Sequence, residues 1–541
     1  MTFVERAREF IRVQPIRLKV NRDIRRMAKA VSRAAPEADD RKMVISFNAS
    51  TRIVGLSLNA AFAMLTGWSL RLQGARVAHY VCQRGMTRCV LGSDRDDVMR
   101  FPPCQKCLVQ TAAIYDRSDL LWMGFYPSDA LAKTLMDADV PTLKAFEHEG
   151  IPLGGLCLPS MRWVLRRHHL QDDEETRILY RHYVLSAYKV AKQFDRLVKE
   201  AHPRSVMVFN GMQFPEAAAR WAARRHGIPV YSHEVGLQPF SAFFTAGDAT
   251  AYPVDIPPNF QLSPEQNQQL DAYLSRRFKG DFSMAGVQFW PEMQGLDDAF
   301  VEKMAGFKQV VPVFTNVIFD TSQPHANVLF PHMFAWLDLV LETARAHPET
   351  LFVVRAHPDE SRPGKASRES VAAWVQARDA EALPNLIFIG PDAYFSSYEM
   401  IQQAKFVMIY NSTIGMEASI MGASVLCAGK ARYTQLPTVF FPQTREAYQA
   451  RLEAFLDAEH VEAPPEHRIN ARRFLYYQLY RSSLPFDRYI KPDGIWPGFV
   501  RLKDFSWKDL LPENSPTMRV ISDGLLRGGD FLMPEDGADP S

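Results

Sequence analysis

The chain is predicted to be α/β: two domains built on open parallel sheets, with helical extensions at both ends. Three observations predict it. With 541 residues the chain exceeds what one core serves, so two domains and extensions are expected. Short apolar runs alternate with helical patterns twice over, first across 43–233 and again across 309–427. Finally, the stretch Asn411-Ser-Thr-Ile-Gly-Met-Glu-Ala-Ser-Ile-Met421 follows the apolar run 406–410 and is closed by Gly422, in the order strand, polar turn, helix.

Composition limits the function classes. The chain is 47% hydrophobic and 23% charged, which excludes a fibre or a disordered chain. Its net charge of +2 argues against a surface built to hold nucleic acid. Positive charge is concentrated at the start, where residues 1–33 hold ten Arg or Lys against three acids, Glu5, Glu9 and Asp23. Val4, Phe10, Ile11, Val13 and Ile16 are interleaved with them. Such a segment either docks on anionic lipid or packs on its own protein with a solvated basic face. No secretory leader is read at the N-terminus, so a cytoplasmic protein is expected, peripheral at the inner membrane if the basic segment docks there. The uncharged run 53–70 carries too many polar residues and glycines for lipid and reads as a buried crossover helix.

In chain order, 43–47, the helix 55–72 and 75–82 make a βαβ unit. Strands are expected next at 120–125, 205–209 and 229–233, with a long helix carrying Tyr180, Tyr183 and Tyr188 over 172–201. The Pro-rich segment 251–258 opens a linker. The second set has strands at 309–314, 351–354, 386–389, 406–409 and 424–427, separated by helices such as 333–345. An aromatic helix over 473–480 is expected to pack back over the domains.

Open parallel sheets bind ligands beyond the carboxyl ends of their strands, so residues just after a strand carry the most weight. Asn411, Ser412 and Thr413 lie there, with the free amides of a helix start beside two hydroxyls, a design that suits phosphate. Glu417, four residues after Thr413, is expected on the same helix face, over whatever the turn holds. Of three His-Pro pairs, those at His202 and His347 precede strands and read as helix stops. Only Arg355-Ala-His357-Pro358 leaves a strand, with a guanidinium fork and an imidazole able to meet a phosphate or a leaving group. Glu234, after the strand 229–233, is either a general base raised in pKa by burial or a carboxylate paired with Arg220 or Arg224. Asn48 to Thr51 and Asn210-Gly211 either face a ligand or shape turns.

Four of six cysteines cluster as Cys82, Cys89, Cys104 and Cys107, with a C-x-x-C at the end. Structural zinc, an iron–sulfur cluster and plain reduced thiols all fit that pattern, and a metal there would hold a long loop.

Arg355 to Pro358, Asn411 to Ala418, and Gly422-Ala-Ser-Val-Leu-Cys-Ala-Gly429 with Tyr433 resemble the carboxyl half of bacterial capsule polysaccharide biosynthesis proteins. The likeness continues in Asn210-Gly211, in His233-Glu-Val-Gly236 and in the helix 473–480. It implies two Rossmann-like domains in a GT-B-like arrangement, facing each other across an interdomain cleft. The implied division is an N-terminal extension over 1–40, an acceptor domain with the cysteine cluster over 41–252 and a linker over 253–306. A nucleotide-sugar domain over 307–445 and a helical extension over 446–541 follow. It implies a metal-independent glycosyltransferase that moves a sugar from a nucleotide-sugar donor to a surface polysaccharide or lipid-linked glycan. By the same resemblance His357 contacts the phosphate or base region, Ser412 and Thr413 the phosphate, and Glu417 the ribose. A nucleotide-sugar epimerase, a polyol-phosphate transferase and a non-catalytic assembly scaffold remain as alternatives.

Overall fold

The computed structural model describes residues 3–49, 55–115, 119–279, 283–284, 287–288 and 294–535. Its strands in chain order are β1 (Asp39–Phe47), β2 (Ala75–Cys82), β3 (Leu120–Met123), β4 (Ser205–Phe209), β5 (Val230–Val235), β6 (Ser241–Thr245), β7 (Ser283–Met284) and β8 (Val287–Gln288). There follow β9 (Gln309–Phe314), β10 (Thr350–Arg355), β11 (Leu386–Ile389), β12 (Val407–Ile409), β13 (Val425–Cys427), β14 (Leu484–Pro485), β15 (Ile490–Pro492) and β16 (Val500–Leu502).

Two sheets carry the molecule. The first runs β14-β6-β5-β4-β1-β2-β3, parallel from β5 to β3, with β6 and β14 antiparallel at one edge. The second runs β11-β10-β9-β12-β13 and is parallel throughout. Their central strands read as near-continuous apolar runs because helices cover both faces. Each sheet separates two cores, one on each face. This is the α/β, two-sheet architecture expected from the sequence.

The run expected as a crossover helix forms Leu58–Leu72, capped by the Ser57 side chain accepting from the Ala60 amide. Thirteen of its fifteen residues are buried, which explains why its one charge is Arg71, in the last turn. Residues 50–54, including part of the Asn48 to Thr51 turn, lie outside the described residues.

The N-terminal helix Phe3–Ala34 buries Val20, Ile24 and Val31 in the first domain's core. From residue 13 onward its apolar face is therefore packed on its own protein. Residues 446–541 hold helices and also β14 to β16, and β14 adds to the edge of the first sheet. The aromatic helix is α-helical over Pro465–Tyr476 and continues as a π-helical turn over Tyr477–Arg481. No helix among the described residues is long and apolar enough to cross a membrane.

Candidate functional site

The stretch after β12 is built as a tight turn into the helix Ile414–Met421. Tyr410 anchors its start by donating to Asn327 Oδ1 at 2.6 Å, and the Asn411 amide donates to Asn316 Oδ1 at 3.2 Å. Tyr433 fixes the turn from below, donating to the Ser412 carbonyl at 2.6 Å. Gly415 makes this closeness possible, since a Cβ there would stand 2.3 Å from Ile409 Cδ1 and 2.5 Å from the Tyr433 hydroxyl. Gly422, at φ +97°, ends the helix in the left-handed conformation. Nothing caps the helix start through the Thr413 side chain.

Asn411, Ser412 and Thr413 line a cavity of about 510 Å³ between the two sheets' domains. Its opposite wall is the segment after β6, with Asp248 and Thr250. His357, Asp320, Asp359, His325, Lys430 and Arg432 add charged and titratable groups to the lining. The His357 Nδ1 accepts from the Asp359 amide at 3.1 Å, and burial lowers its pKa. A neutral ring whose Nδ1 accepts carries its proton on Nε2, so His357 is a hydrogen-bond donor through that atom.

Two expected ligand residues do not line this cavity. Arg355, at the end of β10, is buried, donates to the Ala393 carbonyl at 3.2 Å, and has its pKa brought down to about 10 by burial. Glu417 is on the expected helix but only 2% exposed, gripped by Arg277 at 2.6 and 2.8 Å and by the Tyr398 hydroxyl at 2.6 Å. Its carboxylate is consumed in joining the linker helix Pro264–Arg277 to the helix Ile414–Met421. The ribose contact implied by the resemblance is thus not one this carboxylate makes in the structure.

Glu234 on β5 sits beside the cavity rather than on its wall. It accepts from Asn210 Nδ2 at 2.8 Å, Asn59 Nδ2 at 3.3 Å and the Val235 amide at 2.9 Å. Burial raises its pKa against these three donors, and Asp320 of the second domain adds to the rise. Neither arginine considered from the sequence is its partner. Arg220 instead pairs with Asp248 and donates to the Gly211 carbonyl at 3.0 Å. Asn210 adopts φ +56°, a left-handed conformation that asparagine tolerates, which aims its amide at Glu234.

Lys430, Arg432, Asp320 and His325 were missed by the sequence reading. The strand-end rule points at Lys430 and Arg432, which follow β13, and at Asp320, in the loop after β9, but not at His325, which lies in the short helix Gln323–Ala326. Arg432 lies 4.1 Å over the Tyr252 ring, and His325 shares a 3.1 Å hydrogen bond with Thr250 across the cleft. Cys82, Cys89, Cys104 and Cys107 do come together, around a separate small cavity, and form no disulfide. Among the described residues no three His, Cys, Asp or Glu side chains are placed to hold one metal ion.

The segment that carries β9 to the turn after β13 has a family match. Residues 292–438 match the family described as capsule polysaccharide biosynthesis protein. The match covers a little over a quarter of the chain, including His357, the Asn411 turn, Lys430 and Arg432. The resemblance read from those motifs therefore holds for the second half, while Asn210, Glu234 and the helix 473–480 lie outside the matched segment. No curated protein matches the sequence. Among solved structures the chain is similar to KpsC, a β-Kdo 2,4 transferase of Thermosulfurimonas dismutans, at 12% identity over 52% of this chain and 80% of that one, with a TM-score of 0.33. It is similar to the UDP-GlcNAc 2-epimerase of Neisseria meningitidis at 13% identity, over 80% of this chain and 98% of that one, TM-score 0.26. Sucrose-phosphate synthase of Thermosynechococcus elongatus gives 13% identity, 81% and 95% coverage, and a TM-score of 0.27.

Proposed function

We propose that the protein is a glycosyltransferase of capsule or related glycan synthesis, taking a sugar from a nucleotide-sugar donor to a polysaccharide or lipid-linked glycan acceptor. The observation that carries this reading is the cavity of about 510 Å³ in which Ser412, Thr413 and His357 of one domain face Asp248 and Thr250 of the other. Two reactants held on two domains meet in such a cleft.

The donor phosphates bind at the start of the helix Ile414–Met421, against the Ser412 and Thr413 hydroxyls. Lys430 and Arg432 supply positive charge beside them. His357 donates through Nε2 to a phosphate oxygen. In the transfer, the acceptor hydroxyl gives its proton to the Glu234 carboxylate as its oxygen bonds the anomeric carbon. The bond from that carbon to the phosphate breaks, and the nucleotide leaves with the electron pair, stabilised by those donors. Two cations and a helix start compensate the leaving charge, so the step is assigned without a divalent metal. Glu234 suits the base role because burial raises its pKa toward the working range.

A thermal-shift panel of CMP, CDP, UDP and GDP tests the donor site. One nucleotide should stabilise the protein by about 2.7 kcal/mol at a hundredfold excess over Kd. Ser412→Ala with Lys430→Ala should abolish the shift without lowering the ligand-free Tm. No response to any nucleotide would sink the assignment. Glu234→Gln should keep the shift and lose transfer; full transfer in that variant would instead favour a non-catalytic role for the carboxylate.

A further inference from the structure

Four cysteines from separate stretches converge. Cys82 ends β2, Cys89 lies in the following loop, and Cys104 and Cys107 open the helix Cys104–Ile114. All four line one cavity of about 30 Å³, otherwise walled by Ala49, Met86, Gly92 and the Pro102–Pro103 pair, with Arg84 at its side. Proximity of this kind needs a reason, because the cysteines are spread over 26 positions and form no disulfide.

The packing around one of the sulfurs is close. A Cβ on Gly92 would stand 2.8 Å from Cys89 Sγ and 2.7 Å from Pro102 Cβ, so only glycine fits beside that sulfur. Residues 83–103 contain neither helix nor strand, an unusual length of irregular chain. Arg88 pegs the middle of this segment, donating to the Met99 and Arg100 carbonyls at 2.7 and 2.6 Å. Its two ends meet at the cysteines, where Arg84 also donates to Gln105 Oε1 at 2.8 Å.

Size decides which group fits. No three donors among the described residues are placed to share one ion, yet four sulfurs surround one apolar space. A group that spans the distance between the sulfurs satisfies both facts, whereas a single ion satisfies only the second. We propose that Cys82, Cys89, Cys104 and Cys107 ligate an iron–sulfur cluster that closes the 83–103 loop onto the carboxyl end of the first sheet. Assembly takes up ferrous and ferric iron with sulfide, so no oxidant is needed, and each thiol loses its proton as its iron–sulfur bond forms.

The full-length protein, purified under nitrogen, tests this. Iron and acid-labile sulfide should be present in equal amounts, with a visible charge-transfer band. Both should be lost in Cys104→Ser and Cys107→Ser and kept in Cys157→Ala. Because a ligand variant can misfold, the metal-free wild-type chain is also treated with ferrous and ferric iron and sulfide, and the band should return. Zinc bound without sulfide overturns the proposal, as does a wild-type protein that stays metal-free after treatment with its thiols open to a disulfide reagent. Neither outcome bears on the nucleotide shift, so this site and the donor site stand or fall separately.

Discussion

Glu360 is a carboxyl the chemistry does not use, yet it sits just after His357 and is only 4% exposed. Burial pushes its pKa up to about 8, even though the Val371 amide donates to its oxygens at 3.2 and 3.3 Å. The folded chain therefore keeps a proton that the unfolded chain releases above its ordinary value of 4.5. The resulting stability is fully present below about pH 4.5 and drains away as pH rises through about 8. Glu360→Gln keeps the acceptor and removes the ionisation. It should change Tm little near pH 5 and raise stability near pH 8.5, by at most on the order of 4 kcal/mol. Calorimetry across that range checks it, and a gain that does not vary with pH refutes it. At this scale the sequence served unevenly. Ser412, Thr413 and His357 reach the cavity as spacing and strand position required. Glu417 did not, because helical spacing fixes its height on the helix but is blind to Arg277, 140 residues earlier in the chain.

At the scale of elements, the helix Phe3–Ala34 resolves an ambiguity that its sequence left open. Val13, Val20, Ile24 and Val31 are buried, so the apolar face from residue 13 onward is packed on the protein. Its outer face carries Lys19, Arg22, Arg25, Arg26, Lys29 and Arg33, all exposed, with Leu18 at 69% exposure among them. Any membrane contact is then electrostatic, worth about 1 kcal/mol per basic residue near an anionic surface. Full-length protein should co-sediment with vesicles containing phosphatidylserine at low salt and release as salt rises. Arg22→Glu with Arg25→Glu and Arg26→Glu should abolish the binding with no loss of Tm. Equal binding to neutral vesicles would contradict this reading. Strands with long apolar runs, such as β2, β4, β9 and β11, were legible to the residue. The β6 edge strand and the three short strands of the tail were not, since two or three residues carry no periodicity.

For the whole molecule, the unforeseen part is where the tail returns: into the first sheet's core, with strands of its own. Leu484, Phe486, Tyr489 and Ile490, then Val500, Leu510, Met518, Ile521, Leu525 and Phe531, all belong to the core on one face of the first sheet. Each such side chain contributes roughly 1.5–3 kcal/mol on burial, so together they exceed the about 5–15 kcal/mol that separates folded from unfolded domains. A chain ending at residue 481 should therefore lose the cooperative unfolding of its first domain, although that domain's own strands are intact. A cooperative melt of residues 1–481 equal to that of the full chain would show the tail to be dispensable. The two-sheet plan followed from alternating pattern, because each sheet is local in sequence. Return of the tail follows from pairing between β6 and β14, some 240 positions apart, which no local pattern encodes.

That return has a mechanical meaning. The polypeptide passes between the two halves twice, once after β6 and once where the π-helical turn Tyr477–Arg481 runs into β14. Ser482 of the second passage and Pro253 to Asp255 of the first border the same hollow, so the crossings run side by side. A body held to another by two neighbouring strands is hinged along one edge. Away from that edge the halves are also tied where the His168 and His169 amides donate to Glu369 at 2.8 and 3.0 Å, so parting them there breaks those bonds first.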